Sequence, residues 1–157
     1  MADIVSKEDR SRMMSGIRNK DTKPEMTIRR GLHARGFRYR VHVTKLPGKP
    51  DLVFWKHRAV IFVHGCFWHG HGCHLFRQPK SRAHFWAPKI EANRQRDANV
   101  REKLRRGGWR VAEVWECALE GRSKLPFESV IQRCANWLES GKPNLEITGS
   151  KSGYDAK

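Results

Sequence analysis

Residues 51–69 read DLVFWKHRAVIFVHGCFWH: two apolar runs of strand length, a short polar break between them, and then a cluster of His, Cys and aromatic residues. Asp51–Trp55 and Ala59–Val63 are rich in branched and aromatic side chains, and Lys56–Arg58 is the break, so the stretch predicts two adjacent strands. Upstream, Leu46-Pro47-Gly48-Lys49-Pro50 is a turn. Before it, Phe37, Tyr39, Val41 and Val43 alternate with polar residues, which predicts a half-buried strand. Thr22-Lys23-Pro24-Glu25 has the form of a capping box with proline in the first turn, opening a helix that ends near Gly36. Residues 8–19 read as a short basic helix carrying Met13, Met14 and Ile17.

Downstream, residues 64–86 form a long loop dense in His, Cys, Gly and aromatics. A basic helix is expected from Pro88 to about Arg106, stopped by Gly107-Gly108. Trp109–Trp115 predicts a further strand, and Pro126 to about Ser140 a final amphipathic helix. The Gly/Ser/Lys-rich end, residues 141–157, is expected to be a flexible tail behind a single domain of residues 1–140. The fold class this predicts is α/β, a single mixed β-sheet flanked by helices.

The 157 residues suffice for one domain with a real core. The net charge of +16 and pI near 10.4 exclude an ordinary metabolic enzyme as the default and point to a polyanionic partner. The excess is segregated: residues 1–45 carry +7, residues 77–106 carry another +7, and residues 107–157 balance. Phosphate contact, with strongly salt-dependent affinity, explains such segregation better than solubility does. No apolar run approaches the roughly 20 residues of a membrane span, and MADIVSKEDR shows no apolar signal core. A cytoplasmic monomer without membrane contact is therefore expected.

Four cysteines in such a chain argue for metal before disulfides. Cys66, His71 and Cys73 place three zinc ligands within eight residues, and a tetrahedron needs a fourth. Cys134 shares an apolar helix face with Val130, Ile131, Trp137 and Leu138, so it reads as a core thiol. Cys117 follows a strand directly and is the favoured fourth ligand, giving a closed, structural Zn2+ site. Buried thiols without metal are the alternative.

Asp51 alone would be a turn-terminating residue, but His64 at the next strand end and His69 just beyond give it company. On the basic helix Ile90, Asn93, Asp97, Val100 and Leu104 share a face, which places the Asp97 carboxylate among inward-packing residues. Its partner is either a histidine or a surface arginine, Arg94 or Arg101. Glu25 has a sufficient role as the return half of the capping box. Phe67, Trp68, Phe85 and Trp86 suit stacking on bases, or packing over the zinc loop.

Taken together these residues resemble the very short patch repair endonucleases, over roughly residues 8–140. The resemblance rests on Asp-Arg-Ser-Arg-Met-Met at 9–14, Leu-Pro-Gly-Lys-Pro-Asp at 46–51, Val-His-Gly-Cys-Phe-Trp-His at 63–69, and Gly-Trp-Arg-Val with Val-Trp-Glu-Cys-Ala-Leu at 108–119. It implies a restriction-endonuclease-like core in which histidine chemistry replaces the usual carboxylate-x-Lys, since Phe62-Val63-His64 stands there. It implies Mg2+ held by Asp51 and the main-chain carbonyl of Val63, His69 as general base paired with Asp97, and His64 and Glu25 in support. It implies zinc on Cys66, His71, Cys73 and Cys117, an aromatic wedge of Phe67, Trp68 and Trp86, and Met14 approaching from the other groove. The implied substrate is double-stranded DNA with a T:G mismatch in the context CT(A/T)GG, nicked 5′ to the thymine, with mismatch-repair proteins as candidate partners. Val63 stands where a Thr is often found, and Gly70 and Gly72 interrupt what is often a longer His run. Two other readings are a restriction-like nuclease acting on matched DNA and a non-catalytic, zinc-stapled DNA-binding module.

Overall fold

A computed structural model describes residues 22–66, 69, 71 and 83–150. The expectations for the 8–19 helix, Met14, Phe67, Trp68 and Cys73 fall outside these residues. The first described helix, α1, is Lys23–Ala34, and the Thr22 hydroxyl caps it by accepting the Glu25 backbone N–H at 3.3 Å. Strands β1 (Leu52–Phe54) and β2 (Ala59–His64) pair antiparallel around a single 3-10 turn at Trp55–His57. Helix α2 (Ala83–Arg106) crosses to β3 (Arg110–Trp115), which pairs parallel with β2. Helix α3 (Phe127–Glu139) then leads to β4 (Asn144–Ile147), parallel to β3. The result is one mixed four-stranded sheet in the order β1-β2-β3-β4, with three helices among the described residues.

Strand alternation divides the core between the two sheet faces. Leu52, Phe54, Ile61, Ala112, Val114 and Ile147 pack against α1 and α3. Val53, Val60, Phe62 and Val111 pack on the opposite face with Leu104 and Val100 of α2. By the same period of two, His64, Glu113 and Trp115 project on the α2 side, beyond the end of the apolar cluster. Arg110 ties the layers together: its guanidinium donates to the carbonyls of His57, Trp137 and Leu138 at 2.9–3.0 Å and stacks on the Trp137 ring.

Three expectations are corrected. Residues 37–43 are not a strand; only Arg40 bridges, to Val53. Phe37, Tyr39 and Val41 pack on one sheet face while Val43 and Leu46 pack on the other, with His42 at φ 57° between them. The segment wraps the sheet edge, and its alternation records that crossing. Helix α2 begins at Ala83 and holds Pro88 inside it, one turn beyond the start, where proline forfeits a hydrogen bond and crowds the preceding turn. Finally, part of the expected tail is β4: Leu145 packs against the core and Ile147 is fully buried, a short apolar period hidden in polar composition. Among the described residues, no helix is long and apolar enough to cross a membrane.

Candidate active site and metal centre

The C-terminal end of β2 delivers three different contacts in four residues. Val63 donates its backbone N–H to Oδ2 of Asp51 at 2.7 Å. A strand residue turns its N–H and C=O toward the same neighbour, so the Val63 carbonyl lies on the Asp51 side as well. Burial, with the neighbouring Glu25 carboxyl acting in the same direction and the Val63 bond and Arg29 opposing, pushes the Asp51 carboxyl up to about 7. Glu25 is almost fully buried at the start of α1, in an ion pair with Arg29 one turn on. Two adjacent buried carboxyls and a main-chain carbonyl form a hard oxygen donor set. Such a set suits a cation like Mg2+, which binds through one or two carboxylates and keeps sites for phosphate.

The next residue, His64, is buried and donates from Nε2 to Oε2 of Glu113 at 2.8 Å. Arg101 of α2 donates to that same oxygen at 3.0 Å. Burial holds the His64 imidazole below its ordinary value, so it is neutral, and the Glu113 bond only partly offsets this. Burial acts upward on Glu113, but the His64 and Arg101 contacts outweigh it and keep the carboxylate charged. His69 follows in the loop and donates from Nδ1 to Oδ2 of Asp97 at 2.6 Å. The His64 and His69 ring centroids are 4.2 Å apart. Asp97 therefore takes the histidine partner, and Arg101 serves Glu113 instead. An open cavity of about 640 Å³ beside α2 is lined by His69, Asp97, Arg101, Glu113 and Trp115 among others.

Cys66 and Cys117 each lie two residues beyond a pair in register, His64 with Trp115, so parallel pairing brings both thiols to one sheet end. His71 Nδ1 sits 3.5 Å from Cys66 Sγ and 3.6 Å from Cys117 Sγ. Zinc bonds of about 2.3 Å to sulfur and about 2.05 Å to nitrogen, opened at a tetrahedral angle, span about 3.55 Å. The three ligand atoms thus have the spacing of a zinc corner, and all lie within 4.8 Å of one another. The His71 ring stacks on Trp115 at 4.1 Å and 8°, and Gly149 donates its N–H to Cys117 Sγ at 3.3 Å. Cys134 is wholly buried in the core on α3, as its periodicity indicates, and burial pushes its thiol up to about 12.

Trp86 lies in the first turns of α2 with its ring 5.0 Å from the half-exposed Phe85. Two contributors escaped the sequence reading, Glu113 and Trp115, and Arg101, offered there as a partner for Asp97, serves Glu113. A signal for Glu113 existed, since it is the lone carboxylate in the apolar run Val111–Trp115.

A buried carboxylate pair, two histidines each held by a carboxylate, and a Cys-His-Cys corner stand together at one end of a mixed sheet. Known proteins of like sequence are DNA endonucleases. The profile described as DNA mismatch endonuclease Vsr matches residues 2–75. The type II nicking enzyme V.XorIIP of Xanthomonas oryzae is 53% identical over 125 residues, covering 80% of this chain and 92% of its own. The DNA mismatch endonuclease Vsr of Escherichia coli is 45% identical over 151 residues, covering 95% of this chain and 97% of its own. The type II nicking enzyme V.NmeAIP of Neisseria meningitidis is 43% identical over 123 residues, with 78% and 88% covered. The class so defined is a DNA-nicking endonuclease. Within it, the chain belongs to the Vsr family of DNA mismatch endonucleases.

Proposed function

We propose that this protein nicks double-stranded DNA on the 5′ side of the thymine in a T:G mismatch, by Mg2+-dependent hydrolysis on a restriction-endonuclease-like core. The observation that carries the reading is the 2.6 Å bond from His69 to Asp97, close beside the strand end that presents Asp51. Asp97 holds His69 through Nδ1, which leaves Nε2 to take a proton from the attacking water. The water oxygen bonds to phosphorus, the bond to the 3′ oxygen breaks, and that oxygen takes a proton from solvent. The products are a 5′-phosphate and a 3′-hydroxyl. When bound by Asp51 and the Val63 carbonyl, Mg2+ supplies charge stabilisation to the phosphate. Glu25 supports Asp51, and His64 supports the phosphate.

Zn2+ on Cys66, His71, Cys117 and Cys73 would hold the catalytic loop in place without chemistry of its own. Phe67, Trp68 and Trp86 form the wedge at the mispair and Met14 approaches from the opposite groove. A mispair unstacks at lower cost than a matched pair, which makes the wedge a source of selectivity. We place the enzyme in the cytoplasm as a monomer, with mismatch-repair proteins as further partners.

The test is cleavage of an end-labelled duplex carrying one T:G mismatch in CT(A/T)GG, beside its matched control, with Mg2+ or EDTA, for the wild type and Asp51→Ala. A Mg2+-dependent nick confined to the thymine strand of the mismatched duplex, and lost in the variant, is expected. Equal cutting of matched DNA would replace this reading with a restriction-like one. Tight binding without any nick would leave only a binding module.

A further inference from the structure

Glu113 has no place in the mechanism above, yet it stands on the sheet face that bears His64, with Glu146 of β4 as its neighbour in register. Its residue is only 9% exposed, and a buried carboxylate without partners would be costly. Both of its described donors converge on one oxygen: His64 Nε2 at 2.8 Å and Arg101 Nη1 at 3.0 Å reach Oε2. Arginine can only donate, so the atom between Arg101 and His64 must be an acceptor. An acceptor there requires His64 to carry its proton on Nε2. In a neutral imidazole that choice makes Nδ1 the acceptor nitrogen. His69 is held in the opposite sense, through Nδ1. The two neighbouring histidines, their rings tilted by 39°, therefore present different nitrogens, Nδ1 from His64 and Nε2 from His69.

We propose that Glu113, clamped by Arg101, is a positioning residue that fixes the tautomer and orientation of His64 and so reserves His64 Nδ1 as an acceptor, for a water that donates its other proton to the DNA phosphate. The proposal rests on the nicking activity proposed above for its kinetic test, though not for its spectroscopic one. Arg101 comes from α2 and Glu113 from β3, so the clamp also sets the distance between the helix that bears Asp97 and the strand end that bears His64. The two His–carboxylate pairs are thereby held in one frame.

The clamp makes a discriminating prediction about glutamine. In Glu113→Gln, donor-only Arg101 forces the amide oxygen into the shared position, and His64 keeps its proton on Nε2. In Glu113→Met no acceptor remains. In the double variant Arg101→Met/Glu113→Gln the amide is released to turn either group toward His64. Nicking of the T:G duplex should stay within about threefold of wild type in Glu113→Gln and fall about 10- to 100-fold in Glu113→Met, in kcat with KM unchanged, as for lost outer partners of a working histidine. The double variant should fall well below Glu113→Gln. In a His64→Ala background, Glu113→Met should add less than about twofold, because its effect passes through His64.

Nitrogen-15 spectra of the histidine rings, recorded without DNA, should show the Nε2–H form of His64 in wild type and Glu113→Gln and a mixture in the double variant. Equal losses in Glu113→Gln and Glu113→Met would overturn the proposal. So would a Glu113→Met loss that persists in the His64→Ala background, or an Nδ1–H form in the wild type. If Glu113→Met does not fold, the comparison of Glu113→Gln with the double variant decides. A wild type that does not nick the duplex would defeat the functional reading alone, and the spectra would still judge the clamp.

Discussion

Replacing Gly31 by alanine sets two effects of known size against each other. Gly31 is in the interior of α1, where alanine is the better helix former by about 1 kcal/mol. On an isolated helix the change would stabilise. Here a Cβ would stand 2.4 Å from Cδ1 and 2.6 Å from Cγ1 of Ile131 on α3, and 3.0 Å from Cζ of Phe127. Carbon atoms rest at about 3.5–4.0 Å, so the shortfall exceeds what small relaxations absorb. Phe127 is 42% exposed and can swing aside, but Ile131 is 1% exposed and cannot. Overpacking of this kind costs about 1–3 kcal/mol, and the upper part of that range applies. The clash wins over the helix gain by about 1–2 kcal/mol, which for a chain of this length lowers the melting temperature by about 2–8 °C.

Thermal and urea unfolding followed by circular dichroism would measure it, with Ile131→Val and the double variant completing a cycle. Loss of Cδ1 frees the shortest contact, so the double variant should be less destabilised than the sum of the singles by about 1 kcal/mol. A Gly31→Ala protein that melts at or above the wild type, or strict additivity, would refute the argument that α1 and α3 meet through this glycine.

Gly149→Ala acts on the thiol corner from outside it: its Cβ would meet Ser123 Oγ at 2.4 Å and the carbonyl oxygens of Cys117 and Ser123 at 2.6 and 2.7 Å. Two of these partners are backbone, so a loss of about 1–3 kcal/mol in urea unfolding is expected. Zinc retained per chain after dialysis against a chelator should fall with it, and unchanged melting with full metal retention would count against the contact. Cys134 offers a pH test. Its folded thiol is raised to about 12 against an ordinary value near 9, so it favours the native state below pH 9. That contribution is lost as pH rises from 9 toward 12, at about 1.4 kcal/mol per unit. Unfolding curves of Cys134→Ala between pH 8 and 10.5 should fall less steeply than wild type by that slope, and identical slopes would show the thiol is not sealed.

Where local chemistry alone fixes an element, the sequence announced it. The Thr22 cap, the two apolar runs on either side of Lys56–Arg58, and the face of α3 all lie where propensity and period place them. Two of the misses share a different origin, since each depends on a partner distant in sequence, while the early start of α2 is a local misreading of Pro88. Residues 37–43 look like a strand because they cross from one core to the other around β1. The β4 strand exists only because β3 presents an edge to it. The site divides in the same way. The helix face of α2 showed that Asp97 needs a partner, but a one-dimensional pattern could not choose between His69 and an arginine. That choice is made in space, where Arg101 is already committed to Glu113.

The parallel pairing of β2 with β3 has a consequence for how the enzyme is born. His64 and Glu113 are 49 residues apart in sequence, and a single crossover through α2 brings them together. The same closure carries Cys66 to Cys117 and seals the central core. Long-range pairing of this kind is slow, because the loop must close before its contacts reward it. A chain still emerging from the ribosome, or one cut short before β3, therefore has neither a stable sheet nor an assembled site. For an enzyme that nicks DNA, an unfinished copy is a harmless one.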